Sequence, residues 1–433
     1  MMWNKIRILI LSSILISQNC FAASTVITVG EVNTVQGANR YNCIGGAQTP
    51  TSTTQAEKQT PIYSAGTFDK LKVNVRTNTA DAATTVALQV DGSSVNCSVS
   101  ISAAQTGLIE TTTESDAITT TQKVNLIYTQ AAGTGSLEVQ HTSISFSATS
   151  NTSQLFILNS RPSFSDDTDT VIYFPLFGTP AGSGGGTQEP IEDNVEFTFK
   201  TGGTLRNASW YVSGNDRTDT TTLRSRVAGA NGNISIAVTT TSTGLFQDTS
   251  NTDTISTGNT VDWSCTSGSI DATNNLTGTM AACEFITTDS SWENITGPTT
   301  VGGDPQSAAT TAYNRISGVA NTFTTIETRR QVEVPFALTA SNLSIFVVTN
   351  LATTDGSLTL SNNASGTALT LIITALTSGL FVDDVNTVST VADDLLTLKL
   401  ITGDTSNTFI GSYGFKATTA TAVTQKGRFL SIL

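Results

Sequence analysis

Hydrophobic and polar residues alternate with a period of two along most of this chain. In the segment SVNCSVSI, for example, single polar residues separate Cys97, Val99 and Ile101. Alternation of this kind is typical of a β-strand that buries one face. Turn-forming sequences such as DGSS, AGANGN and NNASGT separate the alternating runs, and runs with helical spacing are almost absent. The pattern predicts an all-β protein.

The alternating pattern occurs three times in the same order. The residues between an asparagine and a glycine keep identical spacing in 78–107, 215–244 and 350–379, and a leucine follows each glycine. Each copy contains about eight strand-like runs. The sequence therefore predicts three tandem antiparallel β-sandwich modules that resemble jelly rolls. They are expected at residues 23–152, 153–290 and 291–433, the last with an extra C-terminal strand.

The first residues, MMWNKIRILILSSILISQNCFAAS, combine Lys5 and Arg7 with a short apolar run and then small residues. This arrangement is typical of a secretory signal peptide, which we expect at residues 1–22. The apolar run is shorter than the roughly 20 residues that span a bilayer, and no later segment is long and apolar enough to do so. We therefore expect a secreted or cell-surface protein without a membrane span.

The balance of charges and the single histidine limit the function classes. The chain has 21 basic and 34 acidic residues and a formal net charge of −13, which disfavours a nucleic-acid partner. Catalysis by a serine–histidine pair needs a base, and His141 is expected on the surface of a strand. Acids such as Glu110 and Glu114 are interpreted as solvated loop residues rather than a glycosidase pair. No enzymatic activity and no cofactor are predicted.

One glutamate recurs in all three copies, as Glu57, Glu192 and Glu327. A carboxylate that accepts hydrogen bonds from backbone amides at the start of a strand would recur with the fold. We therefore expect a structural role for it, and a triplicated enzyme site is the alternative.

Four cysteines follow the predicted signal peptide, two in each of the first two modules. An even number of cysteines in an exported chain favours disulfides, and the simplest pairing joins Cys43 to Cys97 and Cys265 to Cys283. Buried, reduced thiols are the alternative. Their spacing is not that of a zinc site, so no metal site is predicted.

The stretch TGLFQDTSNTD, residues 243–253, has the acidic and amide residues of a calcium loop. Only two copies share each carboxylate, because the aligned residues are Thr111, Asp248 and Asp383 at one position, and Asp116, Asp253 and Val388 at the other. A calcium site common to the modules would need about six or more oxygen ligands. We interpret the stretch as a strand-connecting turn with a buried leucine (Leu108, Leu245 or Leu380). A calcium ion in the second copy alone stays open.

Two features indicate a binding surface. In module 2, Tyr211, Arg224 and Arg226 are predicted to point outward, and arginine beside an exposed aromatic is common at partner surfaces. Near its end the chain reads GRFLSIL, which resembles the first strand of a further module. Phe429 and Leu430 are therefore predicted to pair with an exposed sheet edge, in the same chain or in a neighbouring subunit. A strand that completes module 3 is the alternative.

The repeated motifs Y-x-x-[IL]-x-G, TGL-[IF] and DTSNTD resemble those of sandwich repeats in uncharacterised exported bacterial proteins and in virion surface proteins. The resemblance covers nearly all of residues 25–417 and implies the fold and a surface location, but no catalytic residues. We expect a secreted structural or adhesive surface protein that associates with itself or with another surface protein. A cell-surface glycan-binding protein is the alternative.

Overall fold

The computed structural model describes residues 24–29, 32–35, 39–45, 52–111, 113–131, 133–149, 155–160, 162–163, 171–177, 190–268, 275–288, 291–297, 304–306, 311–316, 318–319, 323–334 and 336–419. The predicted signal peptide and the predicted pairing residues Phe429 and Leu430 lie outside the described residues.

The strands fall into three groups along the chain. Module 1 contains β1 (Ser24–Val29), β2 (Val32–Val35), β3 (Arg40–Asn42), β4 (Thr60–Pro61), β5 (Gly66–Asn78), β6 (Thr84–Val90), β7 (Ser93–Ile101), β8 (Gly107–Glu110), β9 (Ser115–Ile118), β10 (Lys123–Gln130) and β11 (Leu137–Ala148). Module 2 contains β12 (Leu155–Ser160), β13 (Val171–Phe174), β14 (Phe197–Thr198), β15 (Gly203–Asn215), β16 (Thr221–Val227), β17 (Ala230–Val238), β18 (Gly244–Ile255), β19 (Thr260–Ser267) and β20 (Leu276–Thr287).

Module 3 repeats this series. It contains β21 (Ser291–Gly297), β22 (Asp304–Gln306), β23 (Thr311–Asn314), β24 (Gly318–Val319), β25 (Val332–Glu333), β26 (Leu338–Asn350), β27 (Gly356–Asn362), β28 (Ser365–Ile373), β29 (Gly379–Thr390), β30 (Leu395–Ile401) and β31 (Thr408–Thr419). Each module also has one short 3₁₀ helix, at Gln55–Lys58, Glu192–Asn194 and Glu327–Arg329.

Each module folds into two sheets with a common strand order. In module 2 the first sheet has the order β12-β20-β15-β18 and the second β13-β19-β16-β17, with β14 also paired to β19. Counted along the module these orders are 1-8-3-6 and 2-7-4-5, the arrangement of a jelly roll. Modules 1 and 3 have the same orders, and the pairing is antiparallel except where β24 joins β21. The predicted all-β fold of three sandwich modules is confirmed.

The core of each module lies between its two sheets. The alternating residues Cys97, Val99 and Ile101 on β7 are buried there, and Trp210 and Trp263 are fully buried in module 2. Module 1 has its own apolar cluster, whereas the buried residues of modules 2 and 3 form one continuous cluster. Burial of the inward-facing residues is the main force that holds each sandwich together.

The repeated glycine begins the edge strand of each first sheet. Gly107, Gly244 and Gly379 have φ values of +91°, +112° and +110°, which only glycine adopts without strain. The prediction of a turn with a buried leucine is wrong, because most of residues 243–253 belong to strand β18. In each module the residue after the leucine (Ile109, Phe246 or Phe381) packs against the core, so the leucine itself points to the outer face of the sheet. Leu108 and Leu380 are 41% and 45% exposed.

The three modules form a closed ring. In each junction, the segment around the 3₁₀ helix of one module lies on the outer face of the next module's first sheet. At the 1–2 junction the Tyr63 N–H donates to Glu284 Oε1 at 2.9 Å, and at the 2–3 junction the Ser412 hydroxyl donates to the Glu196 carbonyl at 3.0 Å. At the 3–1 junction the Lys72 ammonium binds the Glu333 carboxylate. The last contact closes the ring.

The polar groups buried at the junctions are not interchangeable. The 1–2 junction buries Glu284 and Lys58, and the 3–1 junction buries Lys72 with its partner Glu333, whereas the hydrogen bond described at the 2–3 junction is neutral. Exchanging the modules would leave a buried charge without its partner, which costs several kcal/mol. The buried charges therefore fix the order of the modules around the ring.

The predicted disulfides are wrong, because the four cysteines are buried thiols. Cys43 packs against Met280 and Ala282 of module 2, whereas Cys97 lies in the core of module 1 and donates to the Phe68 carbonyl at 3.4 Å. Cys265 is on β19 and Cys283 on β20, which belong to opposite sheets of module 2. The alternative of reduced, buried thiols is the one observed in this structure.

Candidate functional site

Arg226, predicted to face a partner, is bound within its own module. Its Nε and Nη2 donate to the two carboxylate oxygens of Glu192 at 2.9 and 2.8 Å, and Nη1 donates to Asn231 Oδ1 at 2.6 Å. The guanidinium also lies over the Tyr173 ring, 5.8 Å from its centre. Bidentate pairing of this kind fixes the geometry of both side chains. Arg226 therefore attaches the 3₁₀ helix of module 2 to strand β16.

In module 3 the corresponding glutamate, Glu327, also attaches the 3₁₀ helix to neighbouring strands. Glu327 Oε1 accepts hydrogen bonds from Ser361 on β27 at 2.6 Å and from Thr397 on β30 at 2.8 Å. In module 1, Glu57 accepts one from the Ser52 hydroxyl at 2.7 Å. The geometry fits a structural role, but these donors are side chains and not the backbone amides that we expected.

Tyr211 and Arg224 do not share a surface with each other. Tyr211 is on β15 of the first sheet, partly buried against Cys43, Met280 and Ala282, so the group it contacts is module 1 of the same chain. Arg224 is on β16 of the second sheet and partly exposed, with Nη2 at 3.5 Å from Ser235 Oγ. The expectation of one outward-facing set is wrong because the two strands lie in opposite sheets. Binding of a partner at Arg224 stays a prediction.

Three acids in module 2 are close enough to share a cation. Carboxyl oxygens of Glu192, Glu196 and Asp262 lie within 4.8 Å of one another. Burial, and then the charges of Glu192 and Glu196, raises the pKa of Asp262 well above its usual value. Since Arg226 already compensates Glu192, a proton on Asp262 accounts for the cluster without a metal ion.

The acids of the TGLFQDTSNTD stretch bind backbone amides. Asp248 accepts hydrogen bonds from the N–H groups of Ser235 at 2.9 Å and Asn251 at 3.1 Å, and Asp253 accepts one from Asn233 at 2.6 Å. Burial alone would raise the pKa of Asp248, but these hydrogen bonds lower it to about 2. Ser235 and Asn233 are on β17, the edge strand of the second sheet, so the acids of β18 protect that edge. A calcium ion in the second copy alone stays a prediction.

The same protection occurs in the other modules with one acid each. Asp116 accepts from the Cys97 N–H at 2.6 Å in module 1, and Asp383 accepts from the Thr370 N–H at 3.0 Å in module 3. This explains why each carboxylate is shared by only two copies: either position can protect the edge strand.

A cleft of about 700 Å³ opens at the 3–1 junction. Its walls come from β5, β8 and β11 of module 1 and from the segment of module 3 that contains the 3₁₀ helix. His141 lines it and is 1% exposed, so its predicted place on the surface is wrong. Burial, and then the positive charges of Arg315 and Arg330, lowers the pKa of His141 to about 3. Neither ring nitrogen has a hydrogen-bond partner among the described residues.

One sequence signal for this buried histidine existed. His141 and Met280 stand at the same distance before the phenylalanine of the last strand, and a methionine is more typical of a buried position than of an exposed one. The sequence does not predict the cleft itself, because the cleft forms only where module 3 meets module 1.

No family model matches the sequence, and no curated protein matches it significantly. Within the described ranges, no helix is long and apolar enough to cross a membrane. The function is therefore inferred from the geometry alone.

Proposed function

We propose that this protein is a secreted structural or adhesive surface protein, in which a closed ring of three jelly rolls associates with further copies through module 3. The observation that carries the proposal is the apolar edge strand β29. Leu380, Val382 and Val385 on this strand are 45%, 41% and 83% exposed. An exposed apolar edge strand is a site at which another strand can add.

The aligned strands of the other modules are more polar. In module 2, Gln247 and Ser250 stand where module 3 has Val382 and Val385, and module 1 has a glutamate and a threonine. Sandwich modules normally keep apolar side chains off their edges because such edges aggregate. The apolar side chains of β29 are therefore consistent with a contact that is made outside the ring.

The strand that we propose to add is the segment around Phe429 and Leu430 of a neighbouring copy. Its sequence GRFLSIL contains several apolar residues that would pack against Leu380, Val382 and Val385 on β29. Each added residue pair would supply backbone hydrogen bonds, and the alternate side chains would bury apolar area.

The proposal is tested by measuring molar mass with light scattering after size-exclusion chromatography. The chain from residue 23 onward should be an oligomer, whereas deletion of residues 420–433 or Val385→Lys should give a monomer. Ser250→Lys is the matched control, because it places the same charge at the aligned position of module 2. A wild-type chain that is monomeric at every concentration, or an oligomer that survives the deletion, would contradict the proposal.

A further inference from the structure

The three junctions are built on the same row of side chains. On the outer face of each first sheet, the row crosses the eighth, third and sixth strands of the module. It consists of Met280, Tyr211 and Leu245 in module 2, of Ser412, Phe346 and Leu380 in module 3, and of His141, Asn74 and Leu108 in module 1. Only module 1 has a small amide in the middle of the row, where the others have an aromatic ring.

The first residue of the row is satisfied at two junctions. At the 1–2 junction Met280 is fully buried against Cys43, and at the 2–3 junction Ser412 donates its hydroxyl to a backbone carbonyl of module 2. At the 3–1 junction Arg315 directly follows β23, as Cys43 directly follows β3 in module 1, and it donates to the Gln140 carbonyl instead. His141 is left with two ring nitrogens that have no hydrogen-bond partner among the described residues, and a buried polar group without a partner is destabilising.

We propose that the cleft at the 3–1 junction binds a short, neutral oligosaccharide. A neutral imidazole has one N–H donor and one acceptor nitrogen, and a sugar hydroxyl can serve either. Asn74, Gln140 and Gln331 line the same cleft with amide groups, and Ile326 and Leu395 offer apolar surface to the C–H faces of a sugar ring. Its volume of about 700 Å³ is that of a small-ligand site.

The charges of the cleft favour a neutral ligand. Arg76 is paired with Glu138 at 2.8 Å, and Glu333 is paired with Lys72. Asp393 lies 3.5 Å from the same Lys72 ammonium. Glu110 also lies 3.0 Å from this ammonium, so the acids around Lys72 outnumber it, and Arg76 is already paired. An anionic sugar would therefore be repelled by these acids and would lose its hydration. This inference does not rest on self-association, because the cleft lies within one chain.

The test uses isothermal titration calorimetry on the chain from residue 23 onward. The probes are maltotriose, cellotriose and chitotriose, with a sialylated trisaccharide for comparison. We expect at least one neutral probe to bind, and Asn74→Tyr and His141→Met to weaken that binding at least tenfold. Both substitutions introduce the residue that module 2 has in the same row, so they fill the cleft with a side chain that the fold already accepts.

Ile372→Ala is the control, because this side chain is 55% exposed and does not line the cleft, so binding should be unchanged. His141→Met keeps the test available if Asn74→Tyr does not fold, which thermal unfolding will show. The proposal is overturned if no neutral probe binds the wild type, if the sialylated probe binds more tightly, or if binding survives in the folded variants. Self-association measured on the same samples is independent of these outcomes.

Discussion

Glu284 at the 1–2 junction offers the sharpest test of the ring. Its carboxylate is 2% exposed and lies between two modules. It accepts hydrogen bonds from the Tyr63 N–H at 2.9 Å and the Ser64 hydroxyl at 3.4 Å in module 1, and from Asn207 Nδ2 at 2.9 Å and Arg206 Nε at 3.3 Å in module 2. Glu284→Gln keeps the shape of the side chain but turns one acceptor oxygen into an NH₂ donor.

The magnitude follows from the donors that lose their acceptor. Only the Tyr63 N–H donates to Oε1, whereas the other three donors bind Oε2. The glutamine oxygen therefore takes the Oε2 position, and the Tyr63 N–H is left facing the NH₂ group. Loss of this hydrogen bond to a charged acceptor costs about 1.5–3 kcal/mol, and the other three bonds weaken because their acceptor is no longer charged. Arg206 is 34% exposed and can turn to water, so part of this is recovered. We expect a loss of about 2–4 kcal/mol in the free energy of unfolding.

Urea unfolding at neutral pH measures the loss, and hydrogen exchange localises it. Amide protection should fall in residues 58–64 of module 1 and in residues 206–209 of module 2. Glu138→Gln is the matched control, since Glu138 pairs with Arg76 at the surface and should contribute only about 0–1 kcal/mol. A loss for Glu284→Gln no larger than that of the control, or unchanged protection of 58–64, would refute the buried junction.

Three further measurements test other parts of the structure. Asp248→Ala should cost about 1–3 kcal/mol in urea unfolding and lower amide protection at Ser235, because that N–H loses its acceptor; unchanged protection would contradict the edge role. The pKa of His141 falls from 6.5 to about 3 on folding, so between these pH values the unfolded chain binds a proton that the folded chain does not bind. The free energy of unfolding should therefore fall by up to about 1.4 kcal/mol per pH unit as the pH is lowered from 6.5 towards 3. His141→Met should remove this component from the pH profile, and an identical profile would show that His141 is not buried as a neutral ring. The four cysteines of the chain from residue 23 onward are buried, and burial raises the pKa of Cys97 to about 12. Iodoacetamide at pH 8 should therefore label none of them in the folded chain, and mass spectrometry should find all four labelled in urea.

The fold could be predicted from the sequence because its signals are local. Alternation reports which face of a strand is buried, and Cys97 aligned with Ile234 and Leu369 is buried as they are. Because the same alternating pattern occurs three times, each copy supports the strand assignment made for the other two. Jelly-roll topology followed from the number of strands in each copy, since few architectures close eight antiparallel strands around one core.

The site could not be predicted because it depends on contacts between modules. Tyr211 and Leu245 are outward-facing in the pattern of their strands, as a partner surface would be, and only the neighbouring module decides that they are partly buried. The predicted cysteine pairs are absent for a related reason. Pairing by module assumes that both cysteines lie in the same core, whereas Cys43 packs against Met280 and Ala282 of module 2. Arg226 does not face a partner as predicted, because it pairs with Glu192, which lies 34 residues away in the sequence.

Fusing three modules into one chain lets the junctions differ, which identical subunits in a symmetric trimer cannot do. A symmetric ring would repeat one row of side chains at every junction, and a histidine in that row would give three equal clefts. Here the row differs at each junction, with Met280 and Tyr211 at one and Ser412 and Phe346 at another, and the cleft that we describe belongs to the third. The calorimetric titration should therefore give one sugar per chain. A stoichiometry of three would mean that binding follows the shared fold of the modules rather than the particular residues around His141.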